Sequence, residues 1–283
     1  MCGARLWEVT AMMLETADAG IALGITETMT AVASRFHVDD ARVHAPDADD
    51  LTMIIDALEA WRRQGHDAPV EASLSDEEQH LVSASLPWLS LREGAPYTLH
   101  RFACGAAVVK QGASVDVDSV SVAPDLRIPV DADAHAAMVA AWEVEMSEHN
   151  VSQGAYVSSQ VHALGMEARL GMKAQAGPIW PPRGAVADGG RPEDGPWLPM
   201  TAQVVSWTRL IAAGCPSEFA VRAPVLGGLT SMILAFDQGP SGVFLYADGH
   251  PAEVDIGDEV QLVVRRVYAQ DGMLRYGRKA VRA

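Results

Sequence analysis

Apolar and polar positions along this chain follow two regimes. Up to about residue 150, helix-like and strand-like spacings mix; beyond about residue 200, strand-length runs between turn residues dominate. Leu6, Val9 and Met13 predict a first helix from Leu6 to about Glu15, and the apolar run Ile21–Ile25 predicts a short buried strand. Leu51, Ile54, Ile55, Leu58 and Trp61 share one side of a helix over 51–63. The acidic run Asp47, Asp49 and Asp50 suits its start, and Gly65 and Pro69 end it. A helix over 78–85 stops at Pro87, and a loop passes through Gly94-Ala95-Pro96. Strands are expected at 106–109 and 115–122, then a helix over 131–146 with Met138, Trp142 and Met146 aligned. Gly, Pro and Asp mark 177–199 as an extended loop. Five strands follow, at about 202–211, 228–237, 241–247, 258–268 and 273–281.

The expected organisation is an α+β multidomain chain. It has a mixed α/β domain at 1–150, a linker helix and loop at 151–200, and a small β-barrel domain at 201–283. Charge divides in a similar way. Up to Lys173 there are 11 Lys and Arg against 26 Asp and Glu, a net of −15; from Ala174 onward there are 10 against 11, a net of −1. A net charge of −16 argues against nucleic acid as a partner, because phosphate binding needs a cationic surface. No apolar run reaches the roughly 20 residues of a membrane helix. No secretory signal is visible, and Cys2, Cys104 and Cys215 are too scattered for a disulfide framework. A reduced, cytoplasmic location is expected.

Trp180-Pro181-Pro182-Arg183, then Ala202 to Thr208, then Gly257-Asp258-Glu259-Val260 and Arg265-Arg266 carry a resemblance. Together they are similar to a family that pairs a rubredoxin-like zinc ribbon with an OB fold, over roughly residues 165–283. The resemblance implies a five-stranded OB-type barrel. It also implies partnership with thiolase-superfamily and related acyl-CoA enzymes, in which such modules bridge subunits and help form the acyl-CoA channel. The chain departs from the family at the zinc ligands. Lys173, Ala176, Ala185 and Asp188 stand where the two cysteine pairs would be, so no metal is expected.

The N-terminal part carries another resemblance. Cys2-Gly3-Ala4-Arg5-Leu6, Ala17-Asp18-Ala19, Ala22 to Thr30 and Phe102 to Val109 look like part of a thiolase, over residues 2–122. In that family the nucleophilic Cys opens a helix, where the N-terminus lowers a thiol pKa. Cys2 would be the nucleophile here, yet it is the second residue of the sequence and lacks the strands that precede such a Cys. Gly249-His250-Pro251 mimics the family's His motif but falls between two barrel strands and reads as a turn. Cys104 reads as a small buried apolar residue and Cys215 as a loop residue. The histidines show no metal-ligand spacing, and there is no phosphate loop, dinucleotide fingerprint or nucleophile elbow.

These readings lead to an expectation. The chain is a non-catalytic accessory subunit whose partner is a thiolase-like or ketosynthase-like enzyme, with a degenerate thiolase-like or docking N-terminal domain. Trp180, Arg183, Arg265 and Arg266 are its candidate substrate or interface contacts. No cofactor is bound, and the substrate of the complex is a CoA thioester or an acyl-carrier-linked chain. The alternative is a thiolase-like acyltransferase that forms or cleaves carbon–carbon bonds through an acyl group on Cys2 or Cys104. A third reading, single-strand nucleic-acid binding by the barrel aromatics, lacks the basic groove it needs.

Overall fold

The computed structural model describes residues 12–18, 20–113, 116–147, 159–177, 179–182, 193–237, 239–249, 254–270 and 272–282. Six short strands come first: β1 (Met13–Leu14), β2 (Thr16–Asp18), β3 (Ile21–Ile25), β4 (Met29–Ser34), β5 (Phe36–Val38) and β6 (Ala41–Arg42). Helix α1 (Asp50–Arg63), β7 (Val70–Glu71), α2 (Asp76–Ser85) and the hairpin β8 (Tyr97–Phe102) and β9 (Gly105–Lys110) follow. Next are β10 (Ser121–Val122), β11 (Ile128–Pro129), α3 (Ala132–Met146), α4 (Ser159–Leu170), β12 (Lys173–Gln175) and β13 (Asp194–Trp197). The C-terminal part holds β14 (Thr201–Leu210), α5 (Ala223–Leu226), β15 (Leu229–Ala235), β16 (Ser241–Leu245), β17 (Glu259–Gln270) and β18 (Met273–Arg282).

The N-terminal part is built on a six-stranded sheet in the order β2-β3-β4-β9-β8-β7, antiparallel except for β7 beside β8. Its central strands β4 and β9 are rich in small residues and buried, so both faces of the sheet are covered. One face carries α1. The other carries Leu14, Val120 and Val122. This packing is why β1 is extended where a helix was expected. A side chain on Gly24 would strike Met12 and Leu14, so the segment lies flat on the sheet and pairs in parallel with β10. The rest of the expected helix, through residue 11, lies outside the described residues. The strand expected at 115–122 is reduced to β10. Asp116 accepts from the Asp118 amide and turns the chain into a short 3-10 segment before it.

Helix α1 starts at the capping box of Asp49 with Thr52 and ends with Arg62 and Arg63 in its last turn, as helix polarity favours. Every side chain from Leu51 to Trp61 is buried, because α1 is covered on both sides. Its apolar residues meet the sheet, whereas Asp56 and Glu59 meet cations of β17 and β18.

The C-terminal part is a five-stranded antiparallel sheet in the order β16-β15-β14-β17-β18. A parallel bridge between Tyr246, just past β16, and Ala280 on β18 nearly closes it into a barrel. Val204, Met232, Leu234, Phe244, Val260 and Leu262 fill the interior. The stretch 177–199 is not wholly loop: β13 within it pairs back onto β12. Val264 and Tyr276 of the barrel pack into the core around α1, so that core draws on both parts of the chain.

Candidate functional site

A cleft of about 790 Å3 opens where the β6–α1 loop, α3, α5 and strands β17 and β18 meet. Its wall is mostly apolar and includes Phe36, Ile128, Val130, Met138, Met146 and Leu226. Arg42, His44, Asp49, Cys104 and Arg266 supply polar groups. A concave, largely apolar space with a few convergent polar groups at a junction of two parts is the usual form of a ligand site.

Trp142 of α3 anchors the cleft. Its Nε1 donates to Pro46 O at 2.7 Å, and the guanidinium carbons of Arg222 and Arg266 lie 3.9 and 4.4 Å from its ring centroid. Arg266 donates from Nη2 to Pro46 O at 3.2 Å, and its Nε lies 3.9 Å from Asp49 Oδ2. That same Asp49 oxygen accepts from the Tyr276 hydroxyl at 2.7 Å. Burial, with Asp49 beside it, pushes the Tyr276 phenol far up and keeps it a donor.

Among the described residues Arg42, unlike Arg266, has no carboxylate partner. Its Nη1 donates to Ala103 O at 2.9 Å and its Nη2 to Val120 O at 2.8 Å, while Nε is buried without an acceptor. Burial lowers its pKa, and nearby Arg127 adds repulsion. Cys104 sits in the β8–β9 turn with φ at 51°, and its Sγ lies 3.5 Å from Arg42 O. Burial, reinforced by Asp50, pushes its thiol up, the opposite of what a nucleophile needs. His44 Nε2 lies 3.1 Å from Asp50 Oδ1, but off the direction of a hydrogen bond. Burial lowers its pKa and favours the neutral ring.

Behind the cleft runs a network of buried ion pairs joining the two parts. Lys279 Nζ lies 2.8 Å from Asp47 Oδ2 and 3.1 Å from Asp248 Oδ2. Arg222 holds Glu145 at 2.8 Å and Asp248 at 3.2 Å, and Arg265 holds Asp56 at 2.9 Å. Burial opposes ionisation of Asp47, but Lys279 and Arg265 outweigh it and hold its pKa below the usual range. For Asp248 burial prevails, helped by Asp47, and its pKa rises. The two carboxylates share Lys279 and titrate as a coupled pair.

The residues singled out from sequence fall in different places. Arg265 is buried and committed to Asp56, so it faces no ligand; its neighbour Arg266 lines the cleft. Trp180 stacks on Phe244 with centroids 4.7 Å apart and packs against the barrel core. Arg183 and Cys2 lie outside the described residues, as does His250, although Gly249 does occupy the turn after β16. Cys215 is half-buried with its Sγ 3.6 Å from Leu210 O. At the ribbon positions, Lys173 pairs with Asp194 at 2.6 Å and Ala176 offers no donor, while Ala185 and Asp188 lie outside the described residues. Zinc does not fit this donor set. Among the described residues no cluster of His, Cys, Asp and Glu could hold a metal, and no helix is long and apolar enough to cross a membrane.

Arg42, Trp142 and the buried ion pairs were not foreseen. One signal was available for the pairs. Arg265-Arg266 and Arg278-Lys279 are adjacent cations within strands, where successive side chains point to opposite faces, so one of each doublet has to point inward. No pattern of comparable clarity marks Arg42. No model of a known protein family matches the chain, and no curated protein matches it significantly.

Proposed function

We propose that this chain is a non-catalytic accessory subunit of a thiolase-superfamily acyl-CoA enzyme in the cytoplasm. Its barrel is of the OB type, docks on the partner and helps shape the acyl-CoA channel. The strand order, with β16 returning in parallel to β18, is the order expected of a five-stranded OB barrel and supports that assignment. Under this reading the N-terminal part is a degenerate thiolase-like or docking domain.

The observation that carries the docking role is the outer surface of β14, β15 and β16. Val205, Ile233 and Val243 are exposed there, Val243 by 68%, and Ile233 pairs directly with Val243. No charged residue occurs in 203–208, 230–235 or 241–245, in a chain whose net charge is −16. Contiguous uncharged, apolar surface on a strongly acidic protein fits a contact face. Arg209 is the one cation in β14, β15 and β16, too little positive charge to support nucleic-acid binding. The acyl-cysteine alternative gains nothing from Cys104, whose thiol is pushed up by burial and touches a carbonyl rather than a base.

The test is purification of the tagged chain from its native host, as wild type and as Val243→Glu. A stoichiometric thiolase-like or ketosynthase-like partner that is lost in Val243→Glu supports the reading. A wild-type chain that purifies alone, or as a homo-oligomer through this face, overturns it.

A further inference from the structure

We propose that the junction cleft binds a single-chain amphiphilic anion, its apolar chain against Phe36, Ile128 and Met138 and its anionic group at Arg42. The charged groups of the cleft are matched to different degrees. Asp49 is held by Tyr276 and Arg266 and caps α1. Asp131 accepts from the Ala134 amide and caps α3. Glu143 stands exposed on α3. Of the two cleft guanidiniums, Arg266 has a carboxylate neighbour, whereas among the described residues Arg42 meets two carbonyls and the Phe102 ring, 5.6 Å from its guanidinium carbon, and no carboxylate.

The two carbonyls accept from Nη1 and Nη2 but do not neutralise a cation. A half-buried guanidinium without a counter-charge is costly, and Arg127 nearby, itself 3.9 Å from an exposed Asp40, makes it more so. An incoming anion would remove that cost. The apolar wall excludes a small hydrated ion as the intended occupant, because such an ion would leave most of the cleft unfilled. A chain that carries an anionic head matches both halves of the surface. The source of that group is a free carboxylate or the phosphates of a CoA thioester. The thioester version rests on the accessory-subunit reading; the carboxylate version stands without it.

The isolated chain is titrated calorimetrically with decanoate, decanoyl-CoA and decanol. At least one anion is expected to bind about tenfold or more tightly than decanol, the scale of one charge-assisted contact. Arg42→Gln should erase that preference while decanol binding persists. Ala134→Trp, at an exposed position on the α3 wall, should abolish binding of all three probes. If Arg42→Gln does not fold, the wild-type preference together with Ala134→Trp decides. Decanoate binding without decanoyl-CoA binding supports the proposal and counts against the thioester channel. Absence of binding, or equal affinity for decanol and both anions, overturns it.

Discussion

Arg278 Nη1 lies 2.7 Å from Glu59 Oε1, and the same guanidinium donates to Leu170 O at 2.7 Å and Ser85 O at 3.0 Å. Leu170 ends α4 and Ser85 ends α2, so one barrel arginine serves the carbonyl ends of two helices and a carboxylate of a third. Helix α2 has no basic residue of its own in its last turn, and Arg278 supplies the missing positive charge.

Arg278→Met should therefore cost about 3–5 kcal/mol, because it leaves Glu59 buried and unpaired. Urea unfolding midpoints at neutral pH measure the loss. Adding Glu59→Gln should recover part of it. A loss within about 0.5 kcal/mol, the size of an ordinary surface substitution, would remove the helix-capping role.

Asp56 gives a pH signature. Burial, against the pull of Arg265 and with Glu59 adding to it, pushes its pKa up to about 6 from 3.8. The native state then binds more protons than the unfolded state between these values, so stability falls as pH rises through that window. The contribution is about 3 kcal/mol. Subtracting the guanidinium-derived stability of Asp56→Asn from that of wild type should give a difference that declines from about pH 4 to above pH 6 and is flat beyond. A flat difference throughout would mean that Asp56 is ionised at no cost.

Glu78 shows the opposite sign. The hydrogen bonds from Arg101 hold its pKa at about 2, and Ser75 adds to this. Its stabilisation is present above the ordinary carboxylate range and is lost as pH falls toward 2. The pair is partly solvated, so Glu78→Gln should cost only about 0.5–1 kcal/mol at pH 7. Gln keeps the capping reach to the Ser75 amide, so the loss reports the charge of Glu78, through its pairing with Arg101 and its place in the first turn of α2. Thermal unfolding in low and high salt checks this, and the gap between the two proteins should shrink in high salt.

Gly242 lies under the Trp180–Phe244 stack, where an added Cβ would come within 2.9 Å of Trp180 and 2.8 Å of Phe244. Gly242→Ala should destabilise the protein by about 1–3 kcal/mol and shift the tryptophan fluorescence, because the stack has to move. Unchanged emission and stability would mean that the two rings are not packed on this glycine.

Local pattern carried most of the barrel. The five expected strands coincide with β14 to β18 to within two or three residues, since alternation and Gly or Pro turns both act over short distances. Helix α1 was legible from Asp49, Asp50 and the spacing of Leu51 to Trp61. Strands β4 and β8 were not. Fully buried and rich in small residues, β4 shows neither helical nor alternating periodicity. The cleft was invisible for a different reason: Arg42, Trp142 and Arg266 converge from three remote elements, and local periodicity does not report such meetings. Of the candidate contacts, Arg266 reaches the cleft, whereas Arg265, one residue earlier, is turned into the core by strand geometry.

The pairing of Asp47 with Lys279 spans 232 positions along the chain. During synthesis the carboxylates of Asp47, Asp56 and Glu59 leave the ribosome long before Arg265, Arg278 and Lys279. Until those cations arrive, closing the second side of α1 would bury bare negative charge. The N-terminal sheet alone would leave one face of α1 in water, and the β17–β18 hairpin completes the cover of that helix.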